Sequence, residues 1–253
     1  PIAILSDKYR PLSHFFRQKF SQVTNPPIDS IREQSRMSLK TRFGNLRDVL
    51  DSNSYQESVF VMDSPVVTNS IFNKMLKFGK EELVIIDCSF STNENALKEN
   101  IKRIQGEAEA AVLSGKQHIV LTDKYTDETR VSIPMILATA AVHSFLTRKG
   151  IRSFISLHVQ SAECLDTHYF AVLIGVGATT VNPYLAQECI RERHEKGLFK
   201  DYTYEECVER YKKAVDQGRL KIMAKLGISV VSAYRGGFNF EVVGLSRSMV
   251  NEY

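Results

Sequence analysis

The alternation of short apolar runs with longer amphipathic segments between Leu83 and Gly197 constrains the fold more than any other feature of this chain. The apolar runs predict strands at 83–87, 118–123, 153–159 and 179–185. The segments that follow them predict helices at 93–113, 133–148, 165–174 and 186–196. Strands joined by helices of this length form a parallel sheet, because parallel strands need a long crossover.

The character of these segments refines the fold class. The run at 83–87 shows no apolar–polar alternation, which is typical of a strand buried on both faces. The segment 171–186 passes from a helix through a turn of small residues into a strand, as units of a (β/α) barrel do. We therefore expect an α/β fold, a mostly parallel sheet with flanking helices, arranged as a partial or degenerate (β/α) barrel. An open doubly wound sheet is the alternative.

The segments outside this repeat carry weaker patterns. A short apolar strand is expected at Ile2–Leu5, and the spacing of apolar residues over 12–23 predicts a helix. Further predicted elements are a helix at 69–78 ended by Gly79, a long helix at 204–226 and a hairpin over 228–244. We expect residues 1–197 to form the α/β domain, with residues 198–253 packed on it as a helix plus hairpin.

The bulk properties exclude several classes of protein. The 253 residues carry a net charge of +4 with no block of Lys and Arg, so nucleic acid is not an expected partner. No apolar run approaches the roughly 18 residues of a membrane span, and no signal peptide is present. The chain begins at Pro1 in an apolar run, which suggests a piece of a longer protein. The four cysteines form no CxxC pair, so we expect free thiols in a reducing cytoplasm.

Two adjacent prolines, Pro26 and Pro27, follow the predicted helix at 12–23. Proline fixes φ, lacks an N–H and pushes the preceding residue out of the α region, so Asn25–Pro27 must be extended and stiff. On these grounds alone, the prolines end a helix. A stiff loop also holds neighbouring groups in one place, as loops at sites and at domain contacts do.

Polar side chains follow the predicted strands at the edge where ligands bind in parallel α/β folds. They include Asp87, Asp123, His158 and Asn182, which would gather on one edge if the four strands are neighbours. One interpretation is a small-molecule pocket. The other is that the aspartates cap helices or turns and that His158 is a hydrogen-bonded core histidine.

Other patterns that could carry chemistry are weaker. His158 and His168 flank Glu163 and could form a metal or acid–base group. Arg235–Gly237 could form an anion-binding nest of backbone N–H groups, although a plain turn explains the same residues. The sequence has no P-loop, HExxH or serine nucleophile elbow, and GVGA at 175–178 follows a helix, the reverse of a dinucleotide fingerprint. These patterns assign no catalytic, cofactor-binding or metal-binding residue.

Several long motifs, in one order, resemble the central domain of the glutamate synthase large subunit. The most specific is QVTNPPIDSIREQSRMSL (22–39), and PIAILSDKYRPLSHFF (1–16) is similar to the segment that precedes it in that family. The other matches, in chain order, are the block around HIVLTD, AVLIGVGATTVNPYLA (171–186) and LKIMAKLGISVVSAYRGGFNFEVVGL (220–245). The resemblance covers nearly the whole chain and is weaker over about 40–82.

The resemblance implies a role within a larger oxidoreductase. In that family an amidotransferase domain with an N-terminal cysteine hydrolyses glutamine. An FMN-binding barrel with a 3Fe–4S cluster then reduces the adduct of 2-oxoglutarate and ammonia to glutamate. The central domain joins the two and helps to wall the ammonia tunnel. This chain lacks both the initiating cysteine and closely spaced cysteines, so the resemblance implies a connector without catalytic residues or cofactors of its own.

The resemblance also implies partners and tunnel residues. The partners are the amidotransferase and FMN domains, and either a small FAD/iron–sulfur subunit or ferredoxin. Thr24 and Asn25 are expected to face the tunnel, because ammonia must not meet bulk water and a stiff wall suits its passage. Their alternative role is local hydrogen bonding in the turn. The alternative to a connector is an independent barrel-like enzyme with its site at Asp87, Asp123, His158 and Asn182.

One departure from the family pattern lies near the end of the chain. The family often has SYRGAQ where this chain has Gly237 and Phe238 in the last two positions. The contact with the FMN domain is therefore expected to differ in detail.

Overall fold

Helices and strands alternate along most of the chain in the computed structural model, which describes residues 7–22, 24–45, 59–92 and 96–253. The described strands are β1 (Phe16–Gln18), β2 (Thr41–Phe43), β3 (Phe60–Met62), β4 (Leu83–Asp87), β5 (Ser89–Ser91), β6 (His118–Thr122), β7 (Arg130–Ser132), β8 (Ser156–Gln160), β9 (Thr180–Asn182) and β10 (Phe240–Val242). The described helices are α1 (Ser30–Arg36), α2 (Asn69–Phe78), α3 (Ala96–Leu113), α4 (Met135–Arg148), α5 (Thr167–Gly175), α6 (Tyr184–Glu195), α7 (Tyr204–Lys225), α8 (Val231–Tyr234) and α9 (Arg247–Glu252). Along these residues, none of the helices is both long and apolar enough to cross a membrane.

A parallel sheet with the strand order β4–β6–β8–β9 forms the centre of the fold. The helices that connect its strands, α3, α4 and α5, pack on one face. Burial of apolar side chains between that face and the helices forms the main core. The strand residues in this core are Ile86, Ile119, Leu121, Leu157, Val159 and Val181. The predicted mostly parallel sheet with flanking helices, in the form of a partial (β/α) barrel, is confirmed.

The opposite face, which would line the interior of a closed barrel, is covered by earlier parts of the chain. The antiparallel pair β2–β3 and helix α2 supply the cover. Val120 packs with Val67 and Phe72 in a second apolar cluster. The Phe43 ring meets the His158 ring edge-on, with centroids 5.5 Å apart. This part of the barrel interior is therefore filled by the chain itself.

Local signals explain where two of the helices begin and end. Helix α7 begins with a capping box, in which Thr203 Oγ1 accepts from the Glu206 N–H and the Glu206 carboxylate accepts from the Thr203 N–H. Helix α2 ends at Gly79, as predicted, and the structure adds Thr68 as its N-cap. The predicted long helix at 204–226 is confirmed to within one residue.

Strand β4 is less buried than its sequence indicates. The prediction of burial on both faces is wrong, because Ile85 is 44% exposed and Ile86 alone in this strand is fully buried. The reason is its position, since β4 ends the strand order and pairs only with β6 among the described strands. A strand at the edge of a sheet has less cover than one in its middle.

The helix predicted over 12–23 is wrong. The chain forms a 3₁₀ turn at Leu12–Phe15 and then β1. β1 pairs antiparallel with β10, and the Phe16 and Phe240 rings pack edge-on with centroids 6.1 Å apart. This long-range pairing overrides the helical spacing, because burial of aromatic rings outweighs a weak local propensity. Val23 and the strand expected at Ile2–Leu5 lie outside the described residues.

The hairpin predicted over 228–244 is also wrong. The residues before the glycine pair form the short helix α8, and β10 pairs with β1 instead of with its predecessor. Val231 and Tyr234 are almost fully buried, which an isolated two-stranded hairpin does not provide. The C-terminal part of the chain packs on its N-terminal part, since β10 lies beside β1 and α7 packs against α1. Helix α7 also packs against α5 and α6.

Candidate functional site

The double-proline loop, residues 24–28, is attached to the C-terminal end of α7. The Ile28 N–H donates to Ala224 O at 2.9 Å, and Asn25 Nδ2 donates to Leu226 O at 2.6 Å. The last carbonyl groups of a helix have no partner within the helix. The loop therefore supplies donors that the end of α7 lacks, and α7 in turn fixes the loop.

Contacts on both sides of this loop hold its ends. Before it, the Ser21 N–H donates to Lys225 O at 3.2 Å. After it, Asp29 is the N-cap of α1, and its Oδ1 accepts from the N–H groups of Ile31 and Arg32, both at 3.0 Å. The double-proline loop thus bonds to the C-terminal end of α7 and leads directly into the N-cap of α1.

Thr24 and Asn25, the two residues expected at a tunnel, differ in their contacts. Both are exposed, as are Pro26 and Pro27. The side chain of Asn25 holds the loop to α7, and its N–H donates to Gln22 O at 3.0 Å. Asn25 is therefore a structural tether as well as an exposed residue, whereas Thr24 lies on the exposed turn between these contacts.

Asp87 ends β4 and pairs with Arg130 on β7. Its Oδ2 accepts from Arg130 Nη2 at 2.7 Å, and its Oδ1 accepts from the N–H and the hydroxyl of Ser89 at 2.8 and 2.7 Å. Burial alone would raise the pKa of Asp87, but these hydrogen bonds and the Arg130 charge outweigh burial and lower the pKa below its ordinary value. Both carboxylate oxygens are engaged in holding β4 and β5 to β7.

Asp123 follows β6 and is 2% exposed. Its Oδ2 accepts from the Ala162 N–H at 2.8 Å, whereas its Oδ1 has no hydrogen bond from the described residues. Burial raises the pKa of Asp123 to about 6, the hydrogen bond from Ala162 offsets this in part, and the Glu163 charge adds to it. A buried carboxyl with a raised pKa is a feature of acid–base sites. Among the four residues predicted at the strand ends, Asp123 therefore most resembles a catalytic acid or base.

His158 lies in the middle of β8, so it does not join the polar group at the carboxyl ends of the strands. Its Nδ1 is 2.7 Å from Thr180 Oγ1, and its Nε2 is 3.1 Å from His118 Nδ1. Burial lowers the pKa of both histidines. His158 is therefore a neutral, hydrogen-bonded core histidine, the second of the two interpretations that its sequence allows.

Asn182 ends β9 within a chain of polar side chains that crosses the carboxyl ends of the strands. Its Oδ1 accepts from Gln160 Nε2 at 3.1 Å, and Gln160 Oε1 accepts from Thr122 Oγ1 at 2.8 Å. Its Nδ2 donates to Val67 O and to Asn69 Oδ1, both at 2.9 Å. The chain of bonds ties β6, β8 and β9 to the start of α2.

A cleft of about 690 Å³ opens beside this polar chain, between α2, α6 and the start of α7. Its charged residues have both signs and are Lys124, Glu188, Arg191, Glu205 and Glu209. A lining of this kind does not select one class of ligand, because neither sign of charge prevails.

The structure gives the four strand-end candidates separate partners. Asp87 bonds to β7, Asp123 to the turn after β8, and Asn182 to the start of α2. His158 bonds within the sheet. They therefore do not converge on one substrate-sized point.

His168 and Glu163 are likewise engaged elsewhere. The His168 Nε2 is 2.9 Å from Ser13 O, at the start of the chain. The Glu163 carboxylate accepts from the Met135 N–H at 2.9 Å and from the Tyr169 hydroxyl. Glu163 thus caps the start of α4, and the suggested His158–Glu163–His168 group is not assembled.

The turn at Arg235–Gly237 does not present a free anion nest. The Gly236 N–H donates to Ile174 O, and the Gly237 N–H donates to Tyr234 O. The backbone donors that would cup an anion are therefore already used. Arg235 Nε and Nη2 are buried and receive no acceptor from the described residues.

Sequence reasoning misses a half-buried pair, Arg152 and His143. Arg152 Nε donates to His143 Nδ1 at 3.0 Å, and Arg152 Nη2 donates to Gly177 O at 2.8 Å. Burial, and then the charges of Arg152 and Arg235, lower the pKa of His143 to about 4. The sequence signal for this pair was the glycine at position 177. Its φ is +117°, and a Cβ there would lie 2.2 Å from His143 Nδ1, so the structure requires a glycine.

The fold and this site together define a partial (β/α)-barrel domain, with an internally bonded strand edge and a stiff exposed loop at one helix end. Comparison with protein families then identifies the domain. The chain belongs to the family of glutamate synthase central domains, whose family model matches residues 1–246. The resemblance noted from the motifs is confirmed.

The relatives that the chain matches include NADPH-type and ferredoxin-dependent glutamate synthases. Over its full length the chain is 55% identical to the glutamate synthase (NADPH) large chain of Azospirillum brasilense and 39% identical to that of Bacillus subtilis (strain 168). It is 38% identical, over 99% of its length, to the ferredoxin-dependent glutamate synthase of Pyropia yezoensis. The chain spans only 16–17% of the length of these relatives.

Among solved structures, a mutant flavocytochrome b2 with pyruvate bound is similar with a TM-score of 0.55. The match covers 95% of this chain and 81% of that one, at 10% sequence identity. At this identity the likeness shows the α/β fold alone.

Proposed function

We propose that this chain is the central connecting domain of a glutamate synthase large chain. In this proposal it joins an amidotransferase domain to an FMN-binding domain and helps to wall the ammonia tunnel between them. The parent enzyme, in the cytoplasm, makes glutamate from 2-oxoglutarate and glutamine. The observation that carries the proposal is the match of the whole chain to 16–17% of each NADPH-type large chain.

The domain performs no chemical step itself in this proposal. The polar residues at the strand ends bond to neighbouring parts of the chain, as described above. Burial raises the pKa of the Cys88 and Cys164 thiols, which is the opposite of what a cysteine nucleophile requires. Glutamine hydrolysis and glutamate formation are therefore assigned to other domains of the parent.

Neither the cysteines nor the glycine turn of the described residues fits the cofactors of the parent family. An iron–sulfur cluster needs grouped thiolates, but the four cysteines lie after β4, after β8, in α6 and in α7. The glycine turn that could have held a flavin phosphate has its N–H groups in use. We therefore assign FMN and the 3Fe–4S cluster to another domain.

The double-proline loop is our candidate for the part of the tunnel wall that this domain supplies. Ammonia that meets bulk water is protonated and lost, so the wall must keep its shape. Two prolines and two hydrogen bonds to the end of α7, with a third from Ser21 just before the loop, give the loop that stiffness. Thr24 and Asn25 are exposed, as residues that meet another domain across a passage must be.

We further propose that the parent takes electrons from NADPH through a small FAD/iron–sulfur subunit, and not from ferredoxin. The alignments with the NADPH-type large chains extend over 255 residues, close to the length of this chain. Those with the ferredoxin-dependent enzymes extend over 264 to 268 residues, which implies insertions that this chain lacks. We expect the purified parent with its small subunit to form glutamate with NADPH as the electron donor. With reduced ferredoxin as the donor, we expect no glutamate to form.

The tunnel role is tested by replacing Thr24 in the full parent chain. Thr24→Leu places bulk at the proposed wall, so we expect glutamine-dependent glutamate formation to fall about fivefold or more, with ammonia-dependent formation unchanged. Thr24→Ser is the matched control and should retain both rates. Equal rates for Thr24→Leu and wild type, with either nitrogen source, would reduce the domain to a scaffold. Glutaminase activity in this chain alone would overturn the connector itself.

The cleft beside Asn182 is the observation that favours the alternative, an independent enzyme with its site at the strand ends. Its mixed charge and the separate partners of Asp87, Asp123 and His158 weigh against that reading. Saturable binding of a small metabolite by this chain, abolished by changes that line the cleft, would restore it.

A further inference from the structure

Gly227 is the residue at which the chain leaves α7. It has φ +68°, in the left-handed region, and its N–H donates to Ala224 O at 3.0 Å. Glycine at this place is the ordinary way to stop a helix, because a residue with a Cβ is strained there. Conformation alone therefore explains a glycine but says nothing about function.

The surroundings of Gly227 go beyond that explanation. A Cβ at this position would lie 2.5 Å from Pro26 O and 2.8 Å from Asn25 O. Both atoms are backbone oxygens of the double-proline loop, so no side-chain rotation can remove the clash. Ordinary contact begins at 3.4 Å, so the loop would have to move by about 0.9 Å (3.4 minus 2.5).

Other helix-ending glycines provide the comparison. Gly150 and Gly197 have φ +72° and +73°, nearly the value at Gly227, but a Cβ at either would meet no atom within 4 Å. An alanine at these positions would carry the same backbone strain without touching a neighbour. Gly227 therefore has the same backbone conformation as these two glycines. It differs from them because the backbone of the double-proline loop lies against it.

We propose that Gly227 is a positioning residue, whose missing side chain sets how closely the double-proline loop sits on the end of α7 and hence where Thr24 and Asn25 lie. The inference deepens the proposed function, on which its consequence for ammonia transfer rests. Gly227 touches no substrate. It acts through the hydrogen bonds that the close approach permits, including the 2.6 Å bond from Asn25 Nδ2 to Leu226 O.

The test compares Gly227→Ala with Gly150→Ala in the full parent chain. The first readout is hydrogen exchange of the Ile28 amide, which bonds to Ala224 O. We expect this amide to exchange about tenfold faster in Gly227→Ala and at nearly the wild-type rate in Gly150→Ala. The second readout is glutamate formed per glutamine hydrolysed, which should fall at least about threefold in Gly227→Ala only, with ammonia-dependent synthesis retained.

The two readouts separate the inference from the function on which it rests. Faster exchange with an unchanged glutamate yield would keep Gly227 as the positioning residue and reject the tunnel role of the loop. Equal exchange in the two alanine variants would overturn the inference, because backbone strain alone would then account for the glycine. If Gly227→Ala does not fold, Asn25→Ala removes one of the hydrogen bonds without a clash. In that variant the Ile28 amide should exchange faster than in the wild type, but by less than tenfold, and an unchanged exchange rate would reject the inference.

Discussion

The carboxyl ends of the sheet strands and the double-proline loop use their polar groups in opposite ways. At the strand ends, residues with the chemistry of an active site, such as Asp87 and Asn182, bond to neighbouring parts of the chain. In the loop, Thr24 and Asn25 have neutral side chains that are not reactive groups. They are exposed on a backbone that two helix ends hold in place. The polar groups at the strand ends stabilise the fold, whereas those of the double-proline loop face outward.

This difference shows that residue type is a poor guide to function in a partial barrel. In a closed barrel, the strands on all sides enclose the interior. In this partial barrel, α2 and the β2–β3 pair cover the corresponding face of the sheet. Asn182, at the end of β9, bonds to that cover at Val67 O and Asn69. The comparison therefore predicts large stability effects at the strand ends and small ones in the loop.

The largest effect is expected for Asn182→Ala. The change removes the bonds to Gln160, Val67 O and Asn69 and leaves buried polar groups without partners. We expect the free energy of unfolding to fall by about 3 kcal/mol, measured by urea denaturation. Asn73→Ala, on the exposed side of α2, is the control and should change it by less than about 0.5 kcal/mol. Similar values for the two variants would break the comparison.

A stabilising change of intermediate size is expected for Asp123→Asn. The pKa of Asp123 is raised from 3.8 to about 6, so its contribution to stability is complete below about pH 4 and is lost as the pH rises from 4 to 6. The asparagine keeps an acceptor for the Ala162 N–H without a buried charge. We expect the free energy of unfolding at pH 8 to rise by about 2 kcal/mol, with little change at pH 4.

Asp127 supplies the control for this pH dependence. Hydrogen bonds from Thr129 lower the pKa of this exposed carboxyl, so its contribution has the opposite sign and is lost as the pH falls. Asp127→Asn should therefore not stabilise the chain at pH 8. A gain for both variants would show that a general charge effect, and not the burial of Asp123, is responsible.

The smallest effects are expected in the loop. Asn25→Ala loses one part-buried hydrogen bond and should cost about 1 kcal/mol of unfolding free energy. Thr24→Ala should cost less than about 0.5 kcal/mol because Thr24 is exposed. A cost above about 2 kcal/mol for Thr24→Ala would place it among the structural residues and remove the contrast on which its proposed role depends.

Features set by neighbouring residues could be predicted from the sequence. The apolar runs and the terminating Gly79 lie within a few residues of the elements that they define. The stiffness of the loop likewise follows from Pro26 and Pro27 themselves. Such signals need no knowledge of what the segment packs against.

Features set by distant partners could not be predicted. The pairing of Phe16 with Val242 converts a helical pattern into β1, and no local signal reveals it. The clamp between Asn25 and Leu226 joins residues 201 positions apart. The sequence placed Asp87, Asp123 and Asn182 at one edge of a sheet, but it did not show that β7, the turn after β8 and α2 would occupy them.

Helix α7 gives this domain the geometry of a lever. Its 22 residues extend over about 33 Å. Its first two turns line the cleft beside Asn182, and its last turn holds the double-proline loop. A tilt of about two degrees in a rod of this length moves its far end by about 1 Å, close to the shift that a methyl group at Gly227 would impose. A contact at the cleft that tilted α7 by that angle would therefore displace its last turn, together with the loop bonded to it, by about 1 Å.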